Sequence, residues 1–124
     1  MSKKTMITKK VWAVVGANQN PDKFGNKIYK KLKSIGYEVY PVNPMYENID
    51  GDTCYKNLTG LPKKPDVINM VVAPEIGKGF IEEAVELKIG SIWFQPGTYS
   101  KEIFQFLKDK EIDVVQACIL METH

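Results

Sequence analysis

Short apolar runs alternate with segments of helical periodicity along almost the whole chain, and this alternation limits the fold more than any other feature. Val11–Gly16 is an apolar run that ends at a glycine, which is typical of a buried strand. Phe24, Ile28 and Leu32 then recur at helical spacing, with Gly36 as a stop. The predicted strands are residues 11–16, 37–42, 66–73, 91–95 and 112–118. The predicted helices have their apolar faces between residues 24 and 35, 76 and 87, and 103 and 107, the last with Ser100 as its N-cap.

This order of elements predicts an α/β fold. Nearly continuous apolar strands joined by helices indicate a parallel sheet that is covered on both faces. We therefore expect a doubly wound, Rossmann-like sheet of about five strands in the order 3-2-1-4-5, with helices on both faces. Residues 45–65 carry turn signals and one brief extended piece near 53–56. The 124 residues are expected to form a single domain, with residues 1–9 as a flexible tail.

The cysteine and histidine content restricts the chemistry. Cys54 and Cys118 have neither metal-ligand spacing nor a disulfide framework, which indicates a reduced, cytoplasmic protein. The one histidine is the terminal His124, so a histidine-based catalytic site would need a chain terminus. No apolar run reaches the roughly 20 residues of a membrane span, and no signal peptide is expected. We predict no catalytic residues, no metal site and no membrane partner.

Positive charge is concentrated in the first third of the chain. Residues 1–37 hold nine lysines and one acid, whereas the net charge of the whole chain is only +2. The low total argues against nucleic-acid binding. These lysines either cover the solvent-exposed face of a helix and an N-terminal tail, or they create a positive electrostatic field beside a phosphate-binding site. All 17 basic residues are lysines, so a phosphate would meet point charges and backbone N–H groups.

The carboxyl ends of the predicted strands form the expected ligand-binding rim. Ligands of doubly wound sheets bind there, where the winding direction switches. Here the rim comprises Gly16–Asn18, Asn43–Pro44, Ala73–Pro74 and Gln95–Gly97. Gly16 permits a tight turn and the close approach of a ligand, so a branched side chain at this position is expected to block binding while leaving the fold largely intact.

Two features argue against an NAD-type site. The pattern G-x-G-x-x-G is absent, because Ala17 and Asn18 follow Gly16. The second strand ends in Asn43–Pro44 rather than in the carboxylate that would hold a ribose. Asn-Pro is also ordinary turn chemistry, and this simpler interpretation stays open.

With these residues the chain resembles the standalone CoA-binding domain family, which is related to the N-terminal domain of the succinyl-CoA synthetase α subunit. The resemblance rests on Val14–Asn18, Asn20–Asp22, Val39–Pro44 and Trp93–Gly97, and it extends to Cys118. It implies a CoA-binding module without catalytic residues of its own.

The family resemblance also implies a set of ligand-binding residues. Phosphates and part of the adenosine would be held by Gly16, Ala17, Asn18, Lys23, Phe24, Gly25 and Lys27. The ribose and adenine would lie at Asn43 and Pro44, and an apolar wall would be formed by Val72, Ala73, Pro74 and Ile76. The pantetheine path would be bordered by Gln95, Pro96 and Gly97.

Three functions remain in competition at this point. The leading one is a binding protein for CoA or an acyl-CoA, acting alone, as a homodimer or beside a partner enzyme subunit. The second is a small NAD(P)-binding oxidoreductase or its accessory subunit. The third is an interaction module that dimerises without a ligand.

Overall fold

The computed structural model describes residues 3–123, so His124 lies outside the described residues. The strands are β1 (Val11–Val15), β2 (Glu38–Val42), β3 (Asn48–Ile49), β4 (Asp52–Thr53), β5 (Val67–Met70), β6 (Ser91–Phe94) and β7 (Asp113–Gln116). The helices are α1 (Lys3–Met6), α2 (Phe24–Ser34), α3 (Pro74–Glu86), α4 (Lys101–Leu107) and α5 (Ile119–Glu122).

The α/β prediction is confirmed by a parallel sheet with helices on both faces. Met6, Ile28 and Ile119 of α1, α2 and α5 share one buried cluster with Trp12 and Val14. The opposite cluster joins α3 and α4 to the other face of the sheet; its helical members are Ile81, Ala84, Ile103 and Leu107. The side chains of β1 alternate between the two clusters, as strand geometry requires.

The predicted strand order 3-2-1-4-5 is wrong. The sheet runs β2-β1-β5-β6-β7, so the third long strand pairs with β1 and not with β2. Pro41 explains the difference, because proline donates no ladder hydrogen bond and is confined to edge strands. On its outer side β2 pairs with Tyr55, whose N–H donates to the Pro41 carbonyl at 2.9 Å. The winding direction therefore switches between β1 and β5.

The N-terminal segment, for which the sequence predicts a flexible tail, packs on the sheet over residues 3–9. Residues 3–6 form the short helix α1, and Met6 is fully buried. The Lys9 carbonyl accepts a hydrogen bond from the indole of Trp12 at 2.9 Å, and the Ile7 carbonyl accepts one from the hydroxyl of Tyr37. These contacts fasten the segment to the sheet.

The third long helix begins as its sequence predicts. Ser100 is the N-cap of α4, and its Oγ accepts a hydrogen bond from the Ile103 N–H at 3.1 Å. Of the helices within residues 3–123, none is long and apolar enough to cross a membrane.

Candidate functional site

A cleft of about 350 Å³ opens along the carboxyl rim of the sheet, on the face that carries α2 and α5. It spans the switch point between β1 and β5 and continues to the end of β7. Its lining residues are Gly16, Asn18, Lys23, Phe24, Gly25, Val71, Gln95, Pro96, Thr98 and Cys118. The cleft therefore lies where doubly wound sheets bind their ligands.

Two glycines bring the start of α2 against the end of β1. Gly16 has a φ of +101°, and a Cβ there would lie 2.8 Å from Cγ1 of Val72 and 3.1 Å from the Val71 carbonyl carbon. A Cβ at Gly25 would lie only 2.1 Å from the Gly16 carbonyl oxygen. Only glycine fits at either position without a backbone shift. A branched residue at Gly16 would also meet Val71 and Val72, just beyond the end of β5, so it is expected to strain this junction as well as to block binding.

The N-terminus of α2 faces the cleft with free donors. Its N-cap Lys23 makes no side-chain cap, and the first turn contains no acid. Among residues 3–123, neither the Phe24 nor the Gly25 N–H donates a hydrogen bond to another backbone group. Unpaired N–H groups and the helix dipole favour an anion at this end, and the Lys23 ammonium adds to the same field.

The loop between β1 and α2 is held in place by asparagines. Asn18 Oδ1 accepts a hydrogen bond from the Asn20 N–H at 2.8 Å. The buried Asn26 donates from Nδ2 to the Asn18 carbonyl at 2.8 Å, and Asn43 donates from Nδ2 to the Ala17 carbonyl at 2.9 Å. The amide nitrogen of Asn43 is thus engaged in holding the loop. Asn26, which the sequence did not single out, performs the matching role from α2.

Polar groups continue along the floor of the cleft toward β7. The Gln95 side chain is 5% exposed, and its Oε1 accepts a hydrogen bond from the Ile119 N–H at 2.9 Å. The Gln95 carbonyl accepts from Thr98 Oγ1 at 2.7 Å. Because Oε1 faces α5, the amide nitrogen of Gln95 is the group left over, and no residue between 3 and 123 accepts a hydrogen bond from it.

Strand parity decides which part of the β5 end meets the cleft. Val71 lines the cleft, whereas Val72 packs with the opposite cluster. The sequence interpretation named Val72 and did not name Val71. Ile76 lies on α3 with 61% of its surface exposed and does not line the cleft.

A buried amide lies beneath the cleft floor. Asn69 pairs in register with Val14 and Trp93, which belong to the face that carries the cleft. It is fully buried, and neither polar atom of its side chain has a hydrogen-bond partner among the described residues. An unpaired buried amide costs roughly 1–3 kcal/mol, and the sequence offered no signal for it beyond an asparagine within an apolar strand.

Some of the predicted site residues converge on the cleft and others do not. Those that line it are Gly16, Asn18, Lys23, Phe24, Gly25, Gln95 and Pro96. Those that do not are Ala17, Lys27, Asn43, Pro44, Val72, Ala73, Pro74, Ile76 and Gly97. Lys27 points its Nζ at the ring of Phe24, 5.8 Å from the centroid. The lining residues that the prediction lacked are Val71, Thr98 and Cys118.

Titratable groups with perturbed pKa values lie outside the cleft. Burial, and then the hydrogen bond to Asp52, raises the pKa of Tyr29 well above its usual range. Hydrogen bonds from Lys33 and Tyr29 lower the pKa of Asp52. Burial raises the pKa of the Cys54 thiol. Within residues 3–123 no three His, Cys, Asp or Glu side chains are placed to hold a metal ion.

Comparison with known proteins assigns nearly the whole chain, including every residue that lines the cleft, to one family. A family model described as "CoA binding domain" matches residues 10–124. Uncharacterized protein YneT of Bacillus subtilis is 30% identical over 112 residues, which cover 90% of this chain and 83% of that protein. The ADP-forming acetate–CoA ligase of Methanocaldococcus jannaschii is 31% identical over 124 residues, which cover 90% of this chain and 17% of the ligase. A solved structure, a conserved hypothetical protein from Pyrococcus furiosus, is 46% identical with a TM-score of 0.86, covering 92% of this chain and 99% of that one.

Proposed function

The chain belongs to the CoA-binding domain family, and on that premise we propose that it binds CoA or an acyl-CoA in the cleft and has no catalytic machinery of its own. The family is also represented by a domain of ADP-forming acetate–CoA ligases, of which this chain spans only a small part.

One observation carries the proposal: the start of α2 is pressed against the end of β1 at the switch point. The 2.1 Å that would separate a Gly25 Cβ from the Gly16 carbonyl shows how closely the two backbones meet. This contact places the start of α2 at the cleft, where Phe24 and Gly25 line it beside Lys23. A diphosphate is the group that such an arrangement suits, since the donors and the lysine together oppose its charge.

With the diphosphate at the start of α2, the positions of the adenosine and the pantetheine arm are inferred from the order of the strands along the rim. We place the adenosine toward β2, at Asn43 and Pro44, with the exposed ring of Phe24 at the cleft mouth. The pantetheine arm then crosses Val71, Gln95 and Pro96 toward β7. In this arrangement Lys23, which lines the cleft, replaces Lys27 as the main phosphate contact.

An NAD(P)-linked oxidoreductase is the alternative that this geometry favours least. An NAD-linked site of this fold holds the ribose hydroxyls with a carboxylate at the end of β2. Asn43 stands there, and its side chain is engaged with Ala17 and with the Met45 N–H at 2.9 Å.

The absence of a candidate acid–base pair among the cleft residues supports a binding role, with any chemistry supplied by a partner. Relatives in which the matching segment belongs to a ligase support a partner enzyme subunit. Both cysteines are free thiols, which supports the expected location in the reducing cytoplasm.

Isothermal titration calorimetry of the reduced protein with CoA, NADP, NAD and FMN tests the proposal. CoA is expected to bind most tightly, since it alone combines the diphosphate with an arm that can follow the cleft to β7. If NAD binds more tightly than CoA, the proposal that CoA is the ligand of this cleft is refuted. Steady turnover of acetyl-CoA by the purified protein, lost when a cleft residue is mutated, would refute the claim that it lacks catalysis.

A further inference from the structure

A free thiol lines the far end of the cleft. Cys118 follows β7 and is partly exposed, whereas the other cysteine, Cys54, is only 7% exposed and lies outside the cleft. Burial raises the pKa of Cys54, which makes its thiolate scarcer. The two cysteines therefore differ in access, and the accessible one shares its cleft with the proposed ligand.

The distance across the sheet matches the length of the pantetheine arm. From β1 to β7 the rim crosses β5 and β6, which makes three inter-strand steps of about 4.8 Å, or about 14 Å in all. The arm of CoA has about 12 bonds between the oxygen on its diphosphate and its sulfur. An extended backbone covers roughly 3.3–3.6 Å in every three bonds, so the arm spans about 13–14 Å. A diphosphate held at the start of α2 thus places the CoA sulfur beside Cys118.

Gln95 supplies an independent indication of where the arm runs. Its side chain is 95% buried and lines the cleft one strand before Cys118. The Ile119 N–H fixes Oε1, which leaves the amide nitrogen as an unpaired donor among residues 3–123. A carbonyl is the natural partner of such a donor, and the pantetheine arm carries two amide carbonyls. The Gln95 donor lies between the proposed phosphate site and the thiol, as an arm amide should.

We infer that this cleft brings the sulfur of CoA to Cys118 and that Cys118 exchanges with CoA disulfides to hold CoA covalently. The inference rests on the proposed function, because the diphosphate must first be bound at α2. It adds a thiol-dependent attachment to a site that otherwise binds CoA reversibly.

The exchange balances without a further oxidant. The Cys118 thiol loses its proton to solvent, and the thiolate attacks the CoA sulfur of a disulfide, CoA–S–S–R. The Cys118–CoA disulfide forms as the original S–S bond breaks, and the departing thiolate R–S⁻ takes up a proton. One disulfide and one thiol are consumed, and one of each is produced. An added small thiol reverses the step.

Intact-mass spectrometry of the full chain with CoA disulfide, in the absence of reductant, tests the inference. One adduct per chain is expected, which raises the mass of the chain by that of CoA less two hydrogens, and dithiothreitol should remove it. Peptide mapping of the wild-type protein should locate the adduct at Cys118, so the result does not depend on a variant that folds. Cys118→Ser should give no adduct, and Cys54→Ala is the matched cysteine control that should still give one.

Hydroxyethyl disulfide, which lacks the nucleotide and the arm, measures ordinary thiol reactivity. At equal concentration CoA disulfide should modify Cys118 at least about tenfold faster, because binding at the cleft raises the local concentration of its sulfur. Equal rates would overturn the inference, as would an adduct at Cys54 or none at all. If reduced wild-type protein binds CoA by calorimetry but forms no adduct, this inference alone fails. If it binds no CoA, the proposed function fails as well.

Discussion

Replacing Gly25 with alanine is the sharpest structural test of the contact between α2 and β1. The added Cβ would lie 2.1 Å from the Gly16 carbonyl oxygen and 3.2 Å from the Asn18 nitrogen. Non-bonded carbon atoms prefer separations of roughly 3.5–4.0 Å, and the closest tolerable carbon–oxygen contact is only slightly shorter. Both clashing groups are backbone, so the start of α2 must move away from β1 by about 1 Å.

The expected cost follows from overpacking. Extra atoms in a packed site cost about 1–3 kcal/mol, and a backbone clash belongs at the upper end of that range. Alanine returns about 0.5–1 kcal/mol through its better helix propensity. The free energy of unfolding should therefore fall by about 2 kcal/mol. For a domain of this size the melting temperature should fall by about 6–10 °C.

Gly79→Ala is the matched control, since Gly79 lies inside α3 and a Cβ there meets nothing within 4 Å. It should raise the free energy of unfolding by about 0.5–1 kcal/mol. Urea denaturation of both variants measures the difference, and calorimetry below the melting range should show CoA affinity reduced at least about tenfold for Gly25→Ala only. If Gly25→Ala is as stable as Gly79→Ala and binds CoA normally, the close contact does not build the site.

Three further outcomes are expected. In calorimetry, Lys23→Ala should weaken CoA binding about three- to thirtyfold, and this loss should be smaller at high salt. Lys27→Ala should change the affinity by no more than about twofold. A larger loss for Lys27→Ala than for Lys23→Ala would contradict the placement of the phosphates. Ser100→Ala should lower the free energy of unfolding by about 1 kcal/mol in urea titrations, because α4 loses its cap, and an unchanged midpoint would count against the cap. Hydrogen bonds from Lys33 and Tyr29 lower the pKa of Asp52, so its stabilising contribution is present above the ordinary pKa of 3.8 and is lost as the pH falls through the lower folded value. The difference in unfolding free energy between wild type and Asp52→Asn should therefore be constant at neutral pH and shrink below 3.8, and a difference that grows on acidification would refute the contact.

The sequence predicts the layers of this fold well because apolar periodicity reports burial directly. β1 is apolar on both faces and buried from Trp12 to Val15, as its continuous apolar run predicts. Strand order is a weaker inference, since periodicity does not say which strands pair. Pro41, together with the exposed Glu38, marked β2 as an edge strand and was the residue that could have corrected the order.

The parts of the candidate site that depend on glycine backbone are easier to predict from the sequence than the parts that depend on which side chains point into the cleft. Gly16 is predicted from the sequence as the glycine at the end of the first strand, whereas Gly25 enters the prediction only through the family resemblance. The choice between Val71 and Val72 depends on parity at the end of β5, which a shift of one residue reverses. Cys118 matched the family pattern, yet its place in the cleft follows from the position of β7 at the far end of the sheet.

Binding of CoA in the cleft can be observed by titrating CoA into the isotopically labelled protein and following its backbone amide resonances. The largest shifts are expected along the cleft, from Gly16 and Gly25 through Val71 and Gln95 to Cys118. Shifts confined to the groove on the opposite rim, between Val85 and Ile112, or no shifts at millimolar CoA, would contradict binding in the cleft.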